Sequence, residues 1–144
     1  MKILLILKLI LTNNSLVVGD LIHHNAHAWL EGGIINNSPK INLKAWINLL
    51  NDLQNDFDKK SIVYAGRGIS TRLDFAVNKQ MAYLKKAGQI VKKYISKVPR
   101  SEFSNTKASK HYKEISKVFK KAFPEYKLSY MVEYGVYGLV NMML

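Results

Sequence analysis

Leu16-Val17-Val18-Gly19-Asp20-Leu21-Ile22-His23-His24-Asn25-Ala26-His27-Ala28-Trp29-Leu30-Glu31-Gly32-Gly33 is the stretch that decides the fold. The apolar run Leu16 to Val18 is β-branched and reads as a buried strand. Gly19 lets the backbone turn sharply, so Asp20 is expected to project from the strand's C-terminal end. Three of the four histidines follow within seven residues of Asp20, and Gly32-Gly33 closes the segment. An Asp and several His in one loop are ligand types for zinc or another borderline divalent metal. The same residues equally suit an Asp capping the next turn, with histidines hydrogen-bonded near the surface. Spacing leaves both readings open.

On the N-terminal side, Lys2 before a greasy run resembles an export signal, but Lys8 interrupts the apolar core. No small-residue cleavage site follows before Gly19-Asp20, and the run is far too short to span a bilayer. A strand from about Ile3 to Leu11, a turn at Thr12-Asn13-Asn14 and a second strand to about residue 19 form the expected hairpin. A cytoplasmic location follows from that reading. A domain whose first residues are already core is either unusually compact or missing its beginning.

On the C-terminal side, Asn36-Asn37-Ser38-Pro39 reads as a loop, and Asn42 caps a helix over about 42–57. Leu43, Trp46, Ile47, Leu50, Leu53 and Phe57 mark its buried face. A strand at about 61–65 leads into Gly66-Arg67-Gly68, where glycines around one long polar residue signal a tight turn or a close backbone approach. Arg67 there either pairs with a carboxylate or faces a pocket. Seven-residue spacings predict a long helix over about 71–98, stopped by Pro99. Helices over about 107–123 and 128–143 complete the chain, and His111 is expected to be structural or exposed.

At 144 residues the chain fits a single domain with a real core. It has no cysteine, which excludes disulfides, thiolate zinc sites and thiol catalysis. The net charge of +12 is uneven: residues 1–77 carry +2 and residues 78–144 carry +10. Only one of the three arginines, Arg100, lies in the basic half, so a solvated lysine surface is favoured over a nucleic-acid surface.

Two strand ends carrying Gly19-Asp20 and Gly66-Arg67-Gly68, separated by a helix, resemble the C-terminal half of metallo-β-lactamase-fold hydrolases. The tail Phe123-Pro124-Glu125-Tyr126, leading into a Leu- and Tyr-bearing helix, is similar to that family's ending. The resemblance covers nearly the whole chain. It implies an α/β architecture of α+β layered type, part of an αββα sandwich with one or two zinc or iron ions at the strand ends. It makes Asp20 the match to a metal-binding Asp. The family's His-x-His-x-Asp-His motif is absent, and Arg67 stands where the family has a His within Gly-His-Gly. An arginine stays protonated and does not ligate metal, which leaves His23, His24 and His27 as candidates to replace the missing ligand.

The implied activity is metal-dependent hydrolysis of a small-molecule substrate, impaired in the isolated chain. Asp20 and Arg67 are its catalytic candidates, and Asp20, His23, His24 and His27 its metal candidates. The alternative is a non-catalytic assembly module that forms a homo-oligomer or completes its sheet with a partner chain. A nucleic-acid-binding domain built on the basic half ranks third, its cue being Tyr83, Tyr94, Tyr112 and Tyr126 among the lysines.

Overall fold

A computed structural model describes residues 9–11 and 14–144, with side chains from residue 14 onward except at position 105. Residues 3–8 of the expected strand over about 3–11, and most of the turn at 12–14, lie outside the described residues. Strand β1 (Leu9–Leu11) pairs antiparallel with β2 (Ser15–His24), as the hairpin reading expects. Strand β5 (Ile62–Gly68) pairs parallel with β2, and β6 (Thr71–Arg72) pairs antiparallel with β5. The sheet order is β1-β2-β5-β6, so among the described residues the two longest strands lie at its centre. The architecture is mixed α/β, with helices following strands.

Strands β3 (Ile34–Ile35) and β4 (Ser38–Pro39) form a small hairpin where a loop was expected. Asn36 and Asn37 both adopt positive φ (51° and 57°), a two-residue turn that suits asparagine and the twist of paired strands. Helix α1 (Leu43–Asp56) starts where its cap predicts: the Asn42 side chain accepts from the Ala45 N–H at 2.9 Å.

Helix α2 (Leu73–Ile95) is the central helix and packs on β2, on α1 and on the two helices after it. Its buried side chains Leu73, Val77, Leu84, Ala87 and Val91 follow the seven-residue spacings that predict the helix. The helix starts later than expected, because Thr71 and Arg72 are still paired to β5. It also ends earlier. Residues 96–98 close with three- and four-residue bonds, such as Val98 N–H to Ile95 O at 3.2 Å, because Pro99 disfavours a helical residue before it.

Two 3₁₀ turns (Arg100–Phe103 and Asn105–Lys107) lead into α3 (Ala108–Ala122). Helix α4 (Met131–Met143) begins three residues after the expected 128, because Leu128 sits at φ 61°, outside helical backbone. Gly138 brings α4 onto the Leu30-Glu31 backbone, since a Cβ there would strike the Leu30 carbonyl oxygen.

The core joins Leu16, Val18 and Ile22 of β2 and Val63 of β5 to Leu50 and Leu53 of α1, Ile115 and Phe119 of α3, and Val136 and Leu139 of α4. Helices thus cover one face of the sheet. On the other face β5 alternates outward, with Ile62 and Tyr64 38% and 44% exposed. Their register partners on β2 are Ser15 and Val17. Among the described residues no helix is long and apolar enough to cross a membrane.

Candidate functional site: a bulge at Asp20 and its arginine

Gly19 does not end a strand. It adopts φ 52° inside β2, and the strand runs on to His24. Between the pairs Val17–Tyr64 and His23–Arg67, β2 advances six residues while β5 advances three. The surplus residues form an irregular bulge of the kind that re-aims side chains next to sites, with Leu21 and Ile22 turned into the core and Asp20 out of it. Asp20 therefore rises from the middle of the strand, about half exposed, rather than from its end.

Bulging takes backbone groups out of the ladder, and buried ones must find other partners. Two side chains supply them. The Trp46 indole N–H donates to the Leu21 carbonyl at 2.8 Å, and the Gln80 side-chain oxygen accepts from the His23 N–H at 2.9 Å. In the sequence Trp46 falls on the expected buried face of the helix over 42–57, and Gln80 in the seven-residue series Leu73, Gln80, Ala87 and Tyr94 of the long helix, where both read as packing. Gln80 carried one usable signal: it is the polar member of an otherwise apolar stripe.

The glycines of Gly66-Arg67-Gly68 serve close approach, and the strand continues through them rather than ending at residue 65. A Cβ on Gly66 would strike the Asp20 carboxylate, and one on Gly68 would strike the His24 carbonyl oxygen. The two strands can meet at the bulge only because these side chains are missing.

Arg67 thus lies beside the crest. Its Nη1 is 3.5 Å from Asp20 Oδ1 and donates to His23 Nε2 at 3.3 Å, while His23 Nε2 is 3.6 Å from the same carboxylate oxygen. Burial, reinforced by the Arg67 charge and opposed by that of Asp20, lowers the His23 pKa to about 4. The imidazole is neutral at pH 7. The open alternatives for Arg67 resolve toward carboxylate pairing.

The other candidate ligands part from this pair. His24 follows His23 on the strand, so its ring turns the other way and packs against Phe75 at 5.5 Å. Burial and Lys79 lower its pKa. His27 lies beyond the strand, where Ala26 bridges to Lys127, and its Nδ1 is 3.1 Å from the Tyr83 hydroxyl. Tyr83, Phe123 and Tyr126 enclose that ring, and burial with nearby Lys120 lowers its pKa to about 4. The three histidines do not share one loop, because β2 extends to His24 and alternation separates neighbouring side chains. His111 is buried and structural, bonded through Nδ1 to the Tyr94 hydroxyl at 3.0 Å.

Only Asp20 and His23 approach each other, and an ionised guanidinium lies against both. A catalytic zinc needs three protein ligands and an open position. Among the described residues no group of three or more His, Asp or Glu is placed to hold a metal ion. The residues present do not fit such a centre. The four tyrosines proposed for nucleic acid are also engaged inside the fold: Tyr83 stacks on Tyr126, Tyr94 meets His111 and Tyr112 meets Tyr137. No protein-family model matches the chain, and neither does any curated protein or solved structure.

Proposed function

We propose that this chain is an assembly module: one helix-covered layer, resembling half of a metallo-β-lactamase-like sandwich, that pairs through its open sheet face and is not a hydrolase by itself. The observation that carries the reading is the placement of Arg67. Its fixed positive charge sits against Asp20 and His23, in the place where a metal ion would have to bind them. A guanidinium neutralises the carboxylate and accepts no substrate oxygen as a Lewis acid would. The bulge then shapes a surface rather than a reaction centre.

Ile62 and Tyr64, exposed on the face that no helix among the described residues covers, supply the apolar contact for a second layer, either another copy or a complementing chain. The pairing of Leu9–Leu11 with β2 supports reading those three residues as a strand, and a cytoplasmic location stays part of the proposal. Light scattering coupled to gel filtration tests the self-pairing form. A mass above 16.5 kDa that returns to 16.5 kDa in Tyr64→Lys supports it. A wild-type monomer at all concentrations, with no effect of Tyr64→Lys on mass, overturns self-pairing.

The hydrolase reading keeps one observation in its favour. An exposed carboxylate at the crest of a bulge is the kind of group a site presents, and a further layer could bring more ligands to it.

A further inference from the structure

The start of α4 and the outer side of α3 form a second surface that shares no residue with the bulge. Tyr130, Tyr134 and Tyr137 succeed one another at steps of four and three, which places them on one helix face. Tyr130 and Tyr134 are 60% and 54% exposed. With Lys120, Ser129 and Glu133 they line an open groove of ≈ 560 Å³. Tyr137 is held edge-on to Tyr112, ring centroids 6.0 Å apart.

The lysines belong to a pattern. Helix α3 buries Ala108, His111, Ile115 and Phe119, and turns Lys110, Lys113, Lys117 and Lys121 to solvent along with Lys120. Lys120 lines the groove, and Lys117 and Lys113 lie on the same side of the helix one and two turns back, Lys117 paired with Glu114 at 2.8 Å. Exposed rings beside ammonium groups complement a strand that alternates flat bases with phosphates. The charge sign agrees, since residues 78–144 carry +10. Glu133 is the one carboxylate lining the groove.

We infer that this groove binds single-stranded nucleic acid, with bases stacking on Tyr130 and Tyr134 and phosphates meeting the lysines of α3. A duplex hides its base faces and gains only the electrostatic part. Glu133 opposes the phosphates and holds the affinity down.

The test is fluorescence anisotropy of a labelled oligothymidylate with the full chain at low salt. Binding is expected, with the same sequence as a duplex held more weakly. Replacing both exposed rings (Tyr130→Ala with Tyr134→Ala) is expected to weaken it by about tenfold or more, from lost stacking. Glu133→Gln is expected to tighten it. That variant removes only an exposed charge, so it reads the groove even where the tyrosine variant fails to fold. No binding at low salt overturns the inference, and so does equal affinity for strand and duplex. Binding unchanged in the folded tyrosine variant, or no tightening in Glu133→Gln, overturns it as well. So does capture by phosphatidylserine vesicles without capture of the oligonucleotide.

Discussion

Arg67 donates through Nη1 to Nε2 of His23 across 3.3 Å, and this contact fixes the state of a buried histidine. A guanidinium only donates, so Nε2 must accept and the ring proton must sit on Nδ1. That Nδ1 is buried without a hydrogen-bond partner among the described residues. Arginine and histidine together make a neutral imidazole the stable form.

Stability should therefore depend on acid. His23 and His27 have folded pKa values near 4 against an ordinary 6.5. The unfolded chain binds protons at a higher pH than the folded one, so acid favours unfolding. The contribution is complete above about pH 6.5 and is lost as pH falls toward 4, by about 3 kcal/mol per histidine. Urea midpoints measured from pH 7.5 to 4.5 should fall across that window. His27→Gln should flatten the slope, whatever it does to stability at pH 7.5.

The two neighbours of His23 should move its titration in opposite directions. Arg67→Met removes a positive charge and should raise the His23 pKa, whereas Asp20→Asn removes a negative one and should lower it further. NMR titration of the ring protons reads both shifts. The same direction for both variants would mean that the three groups are not arranged as described.

Trp46 should matter through its nitrogen. Trp46→Phe keeps a ring in place but leaves the buried Leu21 carbonyl without its donor, at a cost of about 1–3 kcal/mol. Trp29 is a fit control: it is 41% exposed and its indole donates to the Glu31 carboxylate near the surface, so Trp29→Phe should stay within about 0.5 kcal/mol. Chemical denaturation of both variants makes the comparison.

Two glycines of the bulge should respond differently. Gly68 combines φ 93° with a Cβ that would enter the His24 carbonyl oxygen, so Gly68→Ala should cost more than about 3 kcal/mol by forcing β2 and β5 apart. Gly19 has open space around its missing Cβ, so Gly19→Ala should cost only the backbone strain of about 1–2 kcal/mol. Gly19→Asn should cost less, because asparagine tolerates that conformation. Melting curves order the three variants.

The helices were legible because their signals are local. The Asn42 cap, the Leu73-to-Val91 stripe and Pro99 act within a turn or two of the chain. The strand ends were not, because a glycine at positive φ can close a strand or carry it through a bulge. The difference lies in β5, more than forty residues away, whose Gly66 and Gly68 admit the bulged strand. The candidate site was half legible for the same reason. Asp20 and Arg67 stood out as residues beside glycines, but their pairing with His23 depends on the parallel register. The box around His27 draws on Tyr83 and on the Phe123–Tyr126 segment, two separate parts of the chain that no local pattern joins to His27.

The central claim is that Arg67 holds the place of a metal, and the direct measurement is metal content. Protein purified without a metal-affinity tag should be examined by elemental mass spectrometry, as wild type and as Asp20→Ala. The account predicts no stoichiometric zinc or iron in either. About one ion per chain in the wild type, lost in Asp20→Ala, would contradict it and restore Asp20 as a metal ligand.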